Sequence, residues 1–265
     1  IARCATFAPP LADVLVARHM LEHVHALPQW FAAVRRFIRP DGWLLLEVPA
    51  CEVELEQCDY ARLWEEHTQY FTQPSLEAVT RASGFEPVWT GRIHTGHETV
   101  LVLLTRQATG HFDLAALPSV ADEYSRAQTF AARFTETRNR VRSAVSIYRR
   151  KGNVALMGVG HLGLSFAHMM GISSDIGLLL DDCPEKQGQY IDGFISPIRS
   201  SEHLLDNGVS LCLFAVNPTV ENRIAARYSA FTNAGGTFAS VFPASARHLL
   251  NTAPLRTWIT PGQIL

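Results

Sequence analysis

The chain has 265 residues, 47% of them hydrophobic and 18% charged, with a mean hydropathy of +0.04. That balance describes a globular protein of about two domains, and no apolar run reaches the roughly 18–20 residues a bilayer span needs, nor is a signal peptide visible. Lys+Arg 23 against Asp+Glu 25 gives a net charge of −2 without a basic block, which argues against a nucleic-acid surface, and five scattered cysteines without a CxxC pair suit reduced thiols in the cytoplasm.

Taken in order, Asp13 to Arg18 (DVLVAR) reads as a short buried strand. Leu27, Trp30, Phe31, Val34 and Ile38 then recur at helical spacing, Arg39-Pro40-Asp41-Gly42 breaks the helix, and Trp43 to Pro49 supplies a second buried strand. Strand, helix, strand at these lengths predicts a βαβ unit and a parallel sheet. Thr72 opens a further helix that Gly84 closes, and EPVWTGRIH and TVLVLLTR, flanking Thr95-Gly96-His97, read as an antiparallel pair at the sheet's edge. One βαβ unit and a hairpin make a thin sheet, so further strands are expected on its N-terminal side. The chain starts at Ile1 in domain-like sequence and reads as a piece of something longer.

From Val120 to Tyr148 the bulky or apolar positions are Val120, Tyr124, Ala127, Ala131, Phe134, Val141, Val145 and Tyr148. Steps of three and four predict a long amphipathic helix or helix pair, either a connector packed on its own chain or the seam of a homodimer. Beyond it, strand and helix patterns alternate from Asn153 to Phe242 and predict a small doubly wound α/β domain. The expected division is residues 1–110, a connecting segment 111–150, and 151–265.

Gly158-Val-Gly160-His161-Leu-Gly163 fits G-x-G-x-x-G after a strand and at the start of a helix, and Asp181 ends the next strand. Such glycines let a backbone approach a pyrophosphate, and such an acid accepts from a ribose hydroxyl. The same residues also serve close packing of strand and helix, so both readings stand. Gly158, Gly160, His161, Gly163, Asp181 and Lys186 are the candidate substrate contacts.

Residues 63–71, LWEEHTQYF, set two glutamates and a histidine among large apolar side chains. They are either a solvated polar face or an acid/base group, since Trp64, Tyr70 and Phe71 would desolvate a carboxyl. No His/Cys cluster has metal-ligand spacing, so no metal site is expected in this chain.

DVLVARHMLEHVHALPQWFAAVRRFIRPDGWLLLEVP resembles the fourth strand, following helix and fifth strand of the class I S-adenosylmethionine-dependent methyltransferases. LWEEHTQYFTQPSLEAVTRASGFEPV resembles the segment that follows in the sugar C-methyltransferases, and GVGHLG, DDCPEKQGQYIDG and Ser196-Pro197-Ile198 resemble that family's C-terminal domain. The resemblance implies transfer of a methyl group from S-adenosylmethionine to a carbon beside a ketone of a nucleotide-linked sugar. It implies Glu66 and His67 as acid/base residues and His23, after the first strand, as a third catalytic group. Arg18 and His19 are the candidate cofactor contacts. The family's Tyr-His before the Glu-His is here Trp64-Glu65, and its His-Gly-Gly-Ser is here His94-Thr-Gly-His97. Its cysteine-rich zinc module and glycine-rich first strand have no counterpart here, so the resemblance implies a truncated chain, inactive alone, with zinc confined to the missing module. A nicotinamide-dependent dehydrogenase and a non-enzymatic nucleotide-binding module are the alternatives.

Overall fold

The computed structural model describes residues 10–94, 98–108, 120–206 and 208–252. It divides into two compact units, one of residues 1–56 with 65–128 and one of residues 57–64 with 129–265. Both are α/β.

The first unit holds a four-stranded mixed sheet of order β1-β2-β4-β3, with β1 Ala12–Arg18, β2 Ile38–Pro49, β3 Phe85–His94 and β4 Thr99–Gln107. β1 and β2 are parallel across the connecting helix α1 (Leu27–Arg35), and the other two pairs are antiparallel. Leu44, Leu46 and Val48 alternate onto one face, where Phe31 and Val34 of α1 cover them with Leu76 and Phe85. Two details differ from the sequence reading. Val14 and Val16 of β1, paired with Trp43 and Leu45, point to the sheet face away from the core of Leu44 and Leu46 and are 53% and 55% exposed, so only Ala17 of that strand is buried. The Arg39–Gly42 turn lies inside β2, because Ala12 pairs with Ile38 and Val14 with Trp43, which bulges the turn out of the ladder. Gly42 is required there, since a Cβ would lie 2.6 Å from Ile38 Cγ2 and 3.0 Å from the Asp13 carbonyl.

After β2 come α2 (Cys51–Gln57) and α3 (Gln73–Ala82). Thr72 caps α3 in a reciprocal box with Ser75, and Gly84 follows the helix at φ +77°. The loop at Thr95-Gly96-His97 lies outside the described residues.

Helix α4 is continuous from Val120 to Arg149. Val141, Ala144, Val145 and Tyr148 enter the core of the second unit, with Phe130 and Phe134 packed against it. The expected stripe holds from Phe134 onward but not before, because Tyr124, Ala127 and Ala131 are exposed. Val120's side chain lies outside the described residues.

The second unit is a five-stranded, all-parallel sheet of order β7-β6-β5-β8-β9. Its strands are β5 Asn153–Met157, β6 Ile176–Leu180, β7 Ile198–Arg199, β8 Val209–Phe214 and β9 Thr237–Ser240. Leu156, Leu179 and Leu211 face α4 and α5 (His161–Met170), while Met157, Leu178 and Cys212 face Phe231 of α7 (Ser229–Asn233). Both faces are therefore covered, as parallel sheets require. The helical pattern from Glu221 to Phe231 breaks at Tyr228, dividing α6 (Pro218–Arg227) from α7. Strand order reverses between β5 and β8, which places a crevice outside their carboxyl ends.

Candidate active site

At the carboxyl end of β1 the backbone turns sharply, with His19 at φ +45°, a left-handed conformation that a non-glycine residue adopts only under local constraint. Its N–H donates to the Glu47 carbonyl at 2.9 Å. Its ring nitrogens lie 3.3 Å from Glu47 Oε1, 3.5 Å from Glu22 Oε1 and 3.8 Å from Glu98 Oε1. Arg18 Nε donates to Glu47 Oε1 at 2.8 Å. Arg18 and His19 thus share one carboxylate, on the neighbouring strand.

A single 3₁₀ turn, Leu21–His23, follows. Leu21 anchors it in the core, and the Glu22 carbonyl accepts from the Thr68 and Gln69 N–H groups at 2.8 and 3.1 Å. Those bonds dock residues 66–69 beside the turn although they are more than forty positions away in sequence. His23 Nδ1 donates to the Glu66 carbonyl at 3.0 Å, which makes Nε2 the acceptor nitrogen of that ring. The His23 and His67 rings meet edge to face with centroids 4.9 Å apart, and His67 lies 6.0 Å from the Tyr70 ring.

Two carboxylates here are buried: Glu47, which is paired with Arg18, and Glu22. Glu22 is 1% exposed, whereas Glu65 and Glu66 are exposed. Neither of its oxygens has a full hydrogen-bond partner, and the contact to Oε1 is the His19 ring at 3.5 Å. Burial pushes its carboxyl above the ordinary carboxylate range, opposed by its backbone contact and by the charges of His19 and His23. The desolvation that Trp64, Tyr70 and Phe71 suggest for the tandem glutamates falls on Glu22 instead. Sequence reasoning passed over Glu22 as a candidate. Burial of one carboxylate in a polar run has no linear signature.

In the second unit, the glycine turn links β5 to α5. Gly158 (φ +95°) and Gly163 are explained by packing, since a Cβ on either would come within 2.7 Å of Ala215. A Cβ on Gly160 would meet nothing within 4 Å. Asp181 accepts from the Val159 and Cys183 N–H groups at 3.0 and 2.9 Å and from Lys186 Nζ at 2.9 Å, while Lys186 also donates to the Val159 carbonyl. Asp181 and Lys186 therefore brace the turn itself. His161 stacks on Trp64 at 4.5 Å and its Nε2 lies 3.2 Å from Ser165 Oγ.

The same unit has a cavity of about 480 Å³ lined by Asp59, Tyr60, Arg133, Arg140 and His248, among others. Burial raises Asp59 to about 6 and, with Arg140, lowers His248 to about 4. Cys51 and Cys212 are buried thiols whose ionisation burial suppresses, so neither is poised as a nucleophile. Cys51, Cys58, Cys183 and Cys212 form no disulfide, and no helix among the described residues is long and apolar enough to cross a membrane.

Of the expected site residues, Arg18, His19, His23, Glu66 and His67 lie in the first unit, and the glycine-turn set in the second. Residues 5–90 match the model of a methyltransferase domain, and residues 119–243 match that of the C-methyltransferase C-terminal domain. The chain is thus similar, in order, to a methyltransferase domain and to the C-terminal domain of C-methyltransferases. No curated protein matches the sequence. Among solved structures, the 1,6-didemethyltoxoflavin-N1-methyltransferase of Burkholderia thailandensis, bound to 1,6-didemethyltoxoflavin and S-adenosylhomocysteine, aligns at 23% identity and a TM-score of 0.29. The alignment covers 36% of this chain and 44% of that one, too little to place any residue.

Proposed function

We propose that the chain carries the substrate-activating part of an S-adenosylmethionine-dependent C-methyltransferase, acting on a carbon beside a ketone of a nucleotide-linked sugar or similar substrate. The observation that supports this most is the His23–His67 pair set against the buried Glu22 carboxylate, in a segment similar to a methyltransferase domain. An α-proton is removed by an imidazole at this pair, with His67 as the base. His23 is oriented by the Glu66 carbonyl, while the exposed Glu66 carboxylate exchanges the proton with solvent. The resulting carbanion attacks in line, so that a carbon–carbon bond forms as a sulfur–methyl bond breaks and a neutral thioether leaves. S-adenosylmethionine supplies the electrophilic methyl; Arg18 and His19, at the carboxyl end of β1, are the residues that would face it.

The second unit by itself offers a nucleotide the open approach at Gly160, with His161 and the α5 N-terminus beside it. A nicotinamide dehydrogenase is supported less well, because Asp181 already accepts from Val159 and Lys186. Proton abstraction can be followed without a methyl donor. Incubated with a nucleotide-linked keto sugar in D₂O, the chain should exchange the α-hydrogen, and His67→Ala or Glu66→Gln should slow exchange at least tenfold. Equal exchange in wild type and both variants would remove these residues from the mechanism.

A further inference from the structure

The 3₁₀ turn after β1 and the docked segment at residues 66–69 bring together three donors of a kind that binds cations. Glu22, His23 and His67 each present a ligand atom, and these atoms lie within 4.8 Å of one another. We propose that they form a binding site for a divalent transition metal of the zinc class.

Three observations carry this. The donor set, two imidazoles and one carboxylate, is the one zinc takes where a fourth position stays open to water or a ligand oxygen. Zinc bonds of about 2.0–2.2 Å place neighbouring ligand atoms roughly 3.3 Å apart, so closure requires movement on the order of one ångström. Next, Glu22 is 1% exposed and both its carboxylate oxygens lack a full hydrogen-bond partner. With the His19 ring 3.5 Å from Oε1 as an ion-pair neighbour but no full hydrogen bond, this buried carboxylate is costly by itself and is further compensated by a cation. Finally, His23 Nδ1 is held by the Glu66 carbonyl at 3.0 Å. That outer bond fixes the tautomer with Nε2 as electron-pair donor, the arrangement that orients metal-binding histidines.

The inference rests on this geometry and not on methyl transfer. A bound cation occupies the electron pair that a general base needs, so the metal-bound and base-competent forms of His67 exclude each other. Zinc should therefore inhibit any α-hydrogen exchange.

The test is calorimetric titration of the whole chain with Zn²⁺, and with Co²⁺ as a spectroscopic probe. One ion per chain is expected. Glu22→Gln, nearly isosteric, should weaken binding at least tenfold, as should His67→Ala, while Cys183→Ser leaves it unchanged. Cobalt should show visible ligand-field bands without the near-ultraviolet sulfur-to-cobalt band that thiolate ligands give. Circular dichroism of the metal-free variants establishes that they are folded. Unchanged zinc affinity in folded Glu22→Gln, a thiolate band, or no binding at millimolar zinc would each overturn the proposal. Zinc binding that needs Glu22, without exchange that needs Glu66, would leave this site standing and sink the proposed function; the converse would do the reverse.

Discussion

Asp59 and His248 line one cavity and are perturbed in opposite senses, so their contributions to stability oppose each other. Asp59, raised by burial to about 6 from 3.8, binds more protons folded than unfolded between those values. Its contribution is therefore favourable at acid pH and is lost as pH rises through about 4 to 6. His248, lowered by burial to about 4 from 6.5, binds fewer protons when folded, so its contribution is present above about 6.5 and is lost as pH falls toward 4. At roughly 1.4 kcal/mol per pH unit each is worth about 3 kcal/mol at most, and the two nearly cancel. Asp59→Asn should unmask the histidine. The stability difference between wild type and variant, from urea melts, should shift toward the variant by about 3 kcal/mol from pH 3.5 to 6.5. A flat difference would show that Asp59 is not desolvated as described.

The glycine turn shows how one short element separates packing from recognition. Gly158 sits at φ +95° with the Ala215 carbonyl 2.7 Å from a would-be Cβ, at the point where β5 and β8 diverge. Gly160 has φ −113°, caps α5 and has open space where a Cβ would go. Gly158→Ala should therefore destabilise the chain by about 1–3 kcal/mol, while Gly160→Ala should stay within about 0.5 kcal/mol. Equilibrium unfolding measures both. If a ligand uses that space, Gly160→Ala weakens nucleotide binding in a chain of unaltered stability. Loss of stability in Gly160→Ala as large as in Gly158→Ala would mean that both glycines serve packing alone.

For the molecule as a whole, charge sets the behaviour toward polyanions. With 23 basic against 25 acidic side chains and net charge −2, there is no long-range attraction to phosphate chains. The chain should pass through heparin at about 0.1 M salt without retention. Retention would demand a basic patch formed only on folding. The two units also differ in how their sheets are built. The first has one parallel pair and two antiparallel pairs and leaves β1 at an edge, while the second is wholly parallel with both faces covered. DVLVAR, which reads as a buried strand, exposes the two valines that point away from the core of the first sheet: a run of β-branched residues specifies a strand but not which of its faces is covered.

Periodicity, turn residues and the order of motifs sufficed to predict both α/β folds, a helical segment between Val120 and Tyr148 and the placement of the glycine turn at a strand–helix junction. Local pattern governs those features, because each depends on residues within a few positions of one another. What the linear order could not supply were the long-range hydrogen bonds from Thr68 and Gln69 to the Glu22 carbonyl. They make His23 and His67 neighbours and leave Glu22, rather than Glu66, as the buried acid. Nor could it supply the bracing of Asp181 by Val159 and Lys186. Burial and the pairing of distant polar groups come from packing, and only the folded chain decides which carboxylate loses its water.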